Sequence, residues 1–310
     1  MNIRDLSYII AVAETGHFGH AAERCYVSQP TLSGQIKKLE QQLGVAIFER
    51  TNRKVEITAV GEEIVEHARQ IMVEAETIKT LANSYQDPMA GPLRIGAIPT
   101  LSPYIMPLIL SPLKNRYPQT RLALSEEQTD HLVRRLKHHE IDAALLATEE
   151  KDPELESLPL FIEPFWVAFP SDHHFYQKES ICANDLKKES LLLLAKGHCL
   201  SDQARSICNM AQQAATGGMA DLRASSLETL IQLVGAGYGV TLLPALAMGG
   251  TWTSGQGVVA QPLSDGSANR TVSLVYRKSF PRQQALQAVS QIIWDCLPNT
   301  TRTLKSQDAA

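Results

Sequence analysis

Between Val60 and Tyr85 the apolar residues Val60, Ile64, Ala68, Ile71, Ala75, Ile78, Ala82 and Tyr85 recur every three or four positions. That is the signature of one helix about seven turns long. A helix of that length cannot bury its seam inside a small module, so pairing with a second chain along the seam is the expected solution. Thr58 is placed to cap its start, and Glu62 and Glu63 fall in its first turns, where acids suit the helix dipole. Pro88 and Gly91-Pro92 stop it. The repeat cuts the 310 residues into an N-terminal module (1–58), a linker and dimerisation helix (59–88) and a long C-terminal domain.

The first module reads as short helices with tight breaks. Leu6, Ile9, Ile10 and Ala13 share helical spacing, Gly16 interrupts, and Phe18, Ala21 and Ala22 carry a second helix to about Cys25. Ser28 is a good N-cap and Pro30 is tolerated in a first turn, so a third helix starts there. It places Leu32, Ile36, Leu39 and Leu43 on one face and ends at Gly44. Phe48 to Ile57 reads as a hairpin with a basic tip at Asn52-Arg53-Lys54. The net charge of −4 conceals an asymmetry. Arg24, Lys37, Lys38, Arg50, Arg53 and Lys54 outnumber Glu40 and Glu49, whereas the linker helix region is acidic. A basic module ahead of an acidic helix suits phosphate contact at one end only. Two short helices joined by a turn, the second rich in Ser, Thr, Gln and Lys, are what major-groove readout requires. Gln29, Pro30, Thr31, Ser33 and Gln35 are candidate base readers on double-stranded DNA. Ser28 sits with them as the cap, and Lys37, Arg50, Arg53 and Lys54 are candidate phosphate contacts. The plainer reading is a small helical domain that only packs.

From Leu93 onward short apolar strands alternate with helices: strands at 93–98, 121–125, 142–147, 165–169 and 272–276, helices at 104–116 and 129–138. This is an α/β pattern with a largely parallel sheet. Two lobes are expected, the first from 92–164 plus 268–298 and the second from 165–267, with a disordered polar tail after Pro298. No apolar run approaches the roughly 18 residues of a membrane span, and no signal peptide is visible, so a cytoplasmic protein with no membrane contact is expected. Five cysteines in such a chain are not a disulfide framework, and no metal or cofactor is expected.

The motif Phe18…Ala21-Ala22…Ser28-Gln29-Pro30-Thr31-Leu32-Ser33…Ile36…Leu39-Glu40…Leu43-Gly44…Phe48-Glu49-Arg50…Thr58…Gly61 resembles the signature of LysR-type transcription regulators. The resemblance implies a winged helix-turn-helix, a dimerising linker helix and a two-lobed, periplasmic-binding-protein-like effector domain. It also implies a homodimer on two DNA half-sites.

Cys25, Cys182 and Cys296 read as small buried hydrophobes. Cys199 and Cys208 differ. Cys199 follows Gly197-His198 in a polar segment, where a thiolate can be stabilised, and Ser201 to Cys208 reads as a helix. If those nine steps are helical they span roughly 13 Å, whereas a disulfide needs Cα atoms within about 7 Å. A bond between the two therefore requires the segment to unwind, and a segment that refolds is a switch.

The run Gly197-His198-Cys199-Leu200…Asp202-Gln203-Ala204…Cys208, followed by Ala224-Ser225-Ser226-Leu227-Glu228 and Thr241-Leu242-Leu243-Pro244, resembles the hydrogen-peroxide-sensing members of the LysR family. By that resemblance Cys199 is the peroxidatic thiol, passing through a sulfenic acid, and Cys208 resolves it. His198 would position or polarise the site, and Arg270 matches a basic position that lowers a thiol pKa; the plainer reading of Arg270 is a surface salt bridge. Thr100 and Thr129 each stand between a strand and a helix, where a hydroxyl suits either a small polar ligand or helix capping. The resemblance further implies a homotetramer, RNA polymerase as a partner and a thiol reductant of the glutaredoxin or thioredoxin type for resetting. A LysR-type sensor of a small metabolite held between the lobes is the alternative. A thiol peroxidase enzyme is disfavoured by the DNA-reading module.

Overall fold

The structure, a computed structural model, describes residues 1–50, 55–84, 89–208, 223–249, 257–264, 266 and 268–304. The chain divides into two compact units, Met1–Gln86 and Asp87–Ala310.

The first unit holds α1 (Ile3–Thr15), α2 (Phe18–Arg24), α3 (Gln29–Leu43), the strands β1 (Phe48–Arg50) and β2 (Val55–Ile57), and α4 (Ala59–Ser84). Local chemistry sets the ends of these elements. A reciprocal capping box between Asn2 and Asp5 starts α1, and glycines with φ of 62° and 73° end α1 and α3 at Gly16 and Gly44. Ser28 Oγ accepts the Thr31 N–H at 3.3 Å, the expected cap. Thr58 Oγ1 accepts the Gly61 N–H at 2.9 Å at the start of α4. Leu6, Ile9, Val12, Ala21, Leu32, Ile36, Leu39 and Ile47 are buried in one core, to which α4 adds Val65 and Ala68. Leu43 departs from expectation. It falls in the last turn of α3, beyond the edge of that core, and is 40% exposed. The hairpin pairs Phe48 with Ile57, and its tip lies outside the described residues.

The second unit is an α/β domain. It is built from β3 (Gly91–Ala97), α5 (Ser102–Arg116), β4 (Thr120–Glu126), α6 (Thr129–Lys137), β5 (Ala143–Leu146) and β6 (Leu155–Pro170). Then come β7 (Leu193–Leu194), α7 (Cys199–Ile207), β8 (Arg223–Ala224), α8 (Leu227–Gly235) and β9 (Thr241–Pro244). The unit closes with β10 (Val258–Pro262), β11 (Asn269–Arg277), α9 (Gln283–Cys296) and β12 (Arg302–Thr303). The order β10-β6-β11-β5-β3-β4 forms one sheet, with β9 and β12 also on β6. β3 runs parallel to β4 and β5, and β11 runs antiparallel to β5 and β6.

Three expectations are corrected. The sheet is mixed and not largely parallel: among its described residues only β3 pairs in parallel, with β4 and β5, whereas β11 and β6 make antiparallel pairs with their neighbours because β11 returns from the end of the chain between β5 and β6. The strand expected at 165–169 begins ten residues earlier. As β6 it pairs with β11 and β12 in its first half and with β9 and β10 in its second. The polar tail is not disordered as far as residue 304. Thr303 pairs with Phe161, and the Leu304 N–H donates to Leu160 O at 2.8 Å, so the tail satisfies backbone groups along β6.

The apolar residues of this unit gather in separate clusters. One lies around β3, β5, β11, α5 and α9. Another lies around Phe165, Leu194, Leu200 and α8, and a third around Val167, Phe169, Phe175 and Cys208.

Candidate functional site

Backbone permissiveness at Gly197 makes the site possible. Its φ is +95°, and a Cβ there would overlap the Gln128 side chain. The loop thus lies against Gln128 and delivers His198, in extended conformation, as the N-cap residue of α7. Cys199 is the first helical residue, so free N–H groups at the helix start face its sulfur. Two bonds hold the helix in place: Ser201 Oγ donates to Leu194 O at 2.7 Å, and Gln203 Nε2 to Ala147 O at 2.6 Å.

Arg270 is the organising cation. Its Nε donates to Glu163 Oε2 at 2.8 Å, one Nη to Thr100 Oγ1 at 3.0 Å and the other to Thr100 O at 3.1 Å. Glu163 Oε1 accepts the Leu246 N–H at 2.7 Å. The side chains of Arg270 and Glu163 have no solvent exposure at all. Arg270 is therefore in a wholly buried pair, not the surface salt bridge that the plainer reading allowed, and its charge acts without solvent screening. Glu163 was missed in the sequence. The available signal was a carboxylate inside the apolar run Phe161-Ile162-Glu163-Pro164-Phe165, which demands a buried partner.

Ile98, Pro99, Thr100, Gln128, Thr129, Gly197, His198 and Cys199 enclose a pocket of about 10 Å³, the room that one molecule the size of water needs. Cys199, His198, Thr100 and Thr129 thus meet at one place. Arg270 reaches it through Thr100. Neither threonine caps its helix. The N-caps of α5 and α6 are Leu101 and Gln128, and no side chain caps either. Thr129 Oγ1 is buried and completes no hydrogen bond. It nevertheless lies near enough to the Cys199 sulfur for its hydroxyl to favour the thiolate. We read it as unpaired beside the neutral thiol and as a donor once the sulfur is charged.

Burial pushes the Cys199 pKa up. Arg270, the Thr129 hydroxyl and the N–H groups of Leu200 and Cys199 pull the other way. Burial also pushes the His198 pKa down, which keeps the ring neutral. The positive charge that the sulfur feels comes from Arg270, not from the neighbouring histidine.

Cys208 is at the other end of α7. Its N–H donates to Ala204 O at 3.1 Å, its side chain is buried in the cluster with Phe169 and Phe175, and burial pushes its pKa up to about 11. Cys199 packs instead against the cluster around β3 and β5. All five cysteines are free thiols. Cys25, Cys182 and Cys296 are only partly buried.

In the first unit, α3 shows Gln29, Pro30, Thr31, Gln35 and Lys37 to solvent, with Ser33 half-buried and Leu32, Ile36 and Leu39 inward. Ser28 and Thr31 hydroxyls are 2.7 Å apart. Arg53 and Lys54 lie outside the described residues, and Arg50 ends β1. Two features escaped the sequence reading. Glu40 accepts the N–H groups of Ile47 and Phe48 at 2.9 and 3.1 Å and so fixes the strand against α3. Tyr26, in the turn before α3, is 95% exposed with φ of 55°. Among the described residues no helix is long and apolar enough to cross a membrane.

Comparison with known proteins matches both units. The profile "Bacterial regulatory helix-turn-helix protein, lysR family" covers residues 3–62, and "LysR substrate binding domain" covers 86–296. The chain is 42% identical over 293 residues to the "DNA-binding transcriptional dual regulator OxyR" of Escherichia coli K12, covering 94% of this chain and 95% of that one. Its fold is similar to full-length OxyR from Pseudomonas aeruginosa, solved as a cysteine-to-aspartate mutant, with a TM-score of 0.78, 37% identity and 99% of both chains covered. It is also similar to an H2O2-bound cysteine mutant of Corynebacterium glutamicum OxyR, with a TM-score of 0.65, 36% identity and 95% and 92% covered.

Proposed function

This chain belongs to the LysR family of bacterial helix-turn-helix regulators, and we propose that it controls transcription in response to hydrogen peroxide through a reversible Cys199–Cys208 disulfide. The observation that carries the reading is the pocket at Cys199. It has the volume of one small polar molecule, a cation-organised Thr100 on one side and the unpaired Thr129 hydroxyl on the other. A pocket of this size beside the thiol suits a molecule of a few atoms such as peroxide. The relatives named as OxyR, one of them solved with H2O2 bound, support the same choice over the metabolite alternative.

The chemistry balances without a cofactor. The Cys199 thiolate attacks one peroxide oxygen, the O–O bond breaks, and the departing hydroxide takes a proton and leaves as water. The sulfur is then a sulfenic acid. Attack by the Cys208 sulfur forms the disulfide and releases a second water. Arg270 holds Thr100 and favours the thiolate, and neutral His198 lines the pocket. Since the two sulfurs sit at opposite ends of α7, the bond requires this helix to unwind, and the effector domain is remodelled as a consequence.

At the output end, α3 enters the major groove. Ser28, Gln29, Pro30, Thr31, Ser33 and Gln35 lie along the base edges, and Lys37, Arg50, Arg53 and Lys54 contact phosphates. Val60, Ile71 and Ile78 on α4 are large apolar residues left exposed, as a homodimer seam requires. We assign the working form as a homotetramer that contacts RNA polymerase and is reset by a thiol reductant of the glutaredoxin or thioredoxin type. Cys199→Ser tests the reading. It should abolish the response of a reporter promoter to peroxide and leave DNA binding intact. A normal response from that variant would remove Cys199 as the sensor.

A further inference from the structure

Past the end of β6 the turn Ser171-Asp172-His173-His174 brings two imidazoles against Glu189. His173 Nε2 lies 3.3 Å from Glu189 Oε2, and His174 Nε2 lies 3.5 Å from Glu189 Oε1. One ligand atom from each of the three residues lies within 4.8 Å of the others. A tetrahedral cation bonded to nitrogen and oxygen at about 2.0–2.1 Å holds neighbouring ligands roughly 3.3–3.4 Å apart. The two nitrogen–oxygen separations, 3.3 and 3.5 Å, are close to that value but run to different oxygens of Glu189, so an ion shared by both rings takes both oxygens or draws the rings toward one of them. The side chains of His173 and Glu189 are 17% exposed and that of His174 is 60% exposed, so the cluster is framed on one side and open on the other.

We propose that His173, His174 and Glu189 form a binding site for a divalent cation of the zinc type, with water in the fourth position. Two imidazoles and one carboxylate select such an ion over magnesium or calcium, which prefer all-oxygen shells. The site lies on the second unit and shares no residue with the pocket at Cys199.

The surroundings fix what must move. The Phe175 N–H donates to His173 Nδ1 at 3.3 Å, which leaves the ring proton on Nε2, towards Glu189. Ligation through Nε2 shifts that proton to Nδ1 and releases the Phe175 bond. The ring is otherwise held, because His173 packs against Phe169 and Phe175, with centroids 5.8 and 4.6 Å away. Those two phenylalanines belong to the cluster that buries Cys208. A cation joining His173 to Glu189 therefore clamps the rim of that cluster, and binding to the folded state alone raises the stability of the domain.

The test uses the full-length reduced chain, stripped with a chelator and then dialysed against zinc. The wild type should retain one zinc per chain and melt at a higher temperature with zinc than without. His174→Ala, at an exposed position, should still fold. It should weaken zinc binding by at least the 10–100-fold typical of disturbing a metal site's outer shell, about tenfold being the floor. Glu189→Gln should do the same. Since thiolates also bind zinc, cobalt substitution identifies the ligands. The bound cobalt should give the visible bands of a tetrahedral ion with no thiolate charge-transfer band. Failure of the wild type to retain zinc, full retention by His174→Ala, or a thiolate band would each overturn the proposal.

Discussion

Cys199 and Cys208 stand at opposite ends of one nine-residue helix and are packed into different apolar clusters. Neither sulfur can reach the other while α7 is intact. The dithiol state is therefore held by the helix and its packing, and the proposed disulfide would have to replace both.

Amide hydrogen exchange reads this directly. Amides of residues 202–208 should be protected in the reduced chain, where α7 is bonded and pinned by Ser201 and Gln203. Stoichiometric peroxide should remove that protection while β3 and β5 keep theirs. Unchanged protection in α7 after oxidation would show that the helix does not unwind.

The Arg270–Glu163 pair separates stability from reactivity. Arg270→Met leaves Glu163 buried without its cation and should cost about 3–5 kcal/mol in urea unfolding. Adding Glu163→Met should recover most of that loss, because a packed apolar pair removes the stranded charge. Neither variant should recover the rate of Cys199 oxidation, since Arg270 lowers the thiol pKa. Measured thiol pKa values and peroxide rates decide the second half.

Thr129→Val keeps the shape and removes a buried hydroxyl that completes no hydrogen bond. The folded chain should be as stable or up to about 1 kcal/mol more so, because an unpaired buried hydroxyl is a cost. Oxidation of Cys199 should slow, because the thiolate and the incoming peroxide both lose a donor. A variant that reacts at the wild-type rate would confine Thr129 to packing.

The Cys208 thiol, pushed up to about 11 from its ordinary 9.0, predicts a pH dependence with a definite sign. Its neutral form is favoured by the fold, so between about pH 9 and 11 the unfolded state binds fewer protons than the native state. Stability should fall with rising pH through that window, and below it, where both states keep the proton, Cys208 adds no slope and stability is at its full value. Denaturant unfolding across this range should lose part of its slope in Cys208→Ala. The other groups with raised pKa values, the thiols of Cys25, Cys199 and Cys296, the phenols of Tyr104 and Tyr276 and the amine of Lys137, contribute to what remains.

How much of this was legible in the sequence follows from which interactions are local. The cap at Ser28, the αL glycines and the alternation of β3, α5, β4 and α6 are set by neighbours in sequence and were readable. The helix between Cys199 and Cys208 was readable from its own sequence. The full length of β6 was hidden by Pro159 and Pro164, which look like strand breakers. The register shift opposite Val272 and Ser273 carries the pairing past Pro159, and Pro164 falls at the last pair with β11, just before β6 passes to β9. The tail at Thr303 was hidden because it joins β6 through backbone groups, which leave no side-chain pattern. Glu163 and Arg270 are separated by 107 positions, so their pairing is invisible until the sheet brings β6 beside β11.

The most direct test of the account is the distance between the Cys199 and Cys208 sulfurs in the same chain before and after peroxide. In the reduced chain α7 should be intact, with the sulfurs far beyond bonding distance. After one equivalent of peroxide an S–S bond of about 2.05 Å and an unwound helix are expected. Two sulfurs that stay apart in a peroxide-treated chain already switched on its promoter would contradict it.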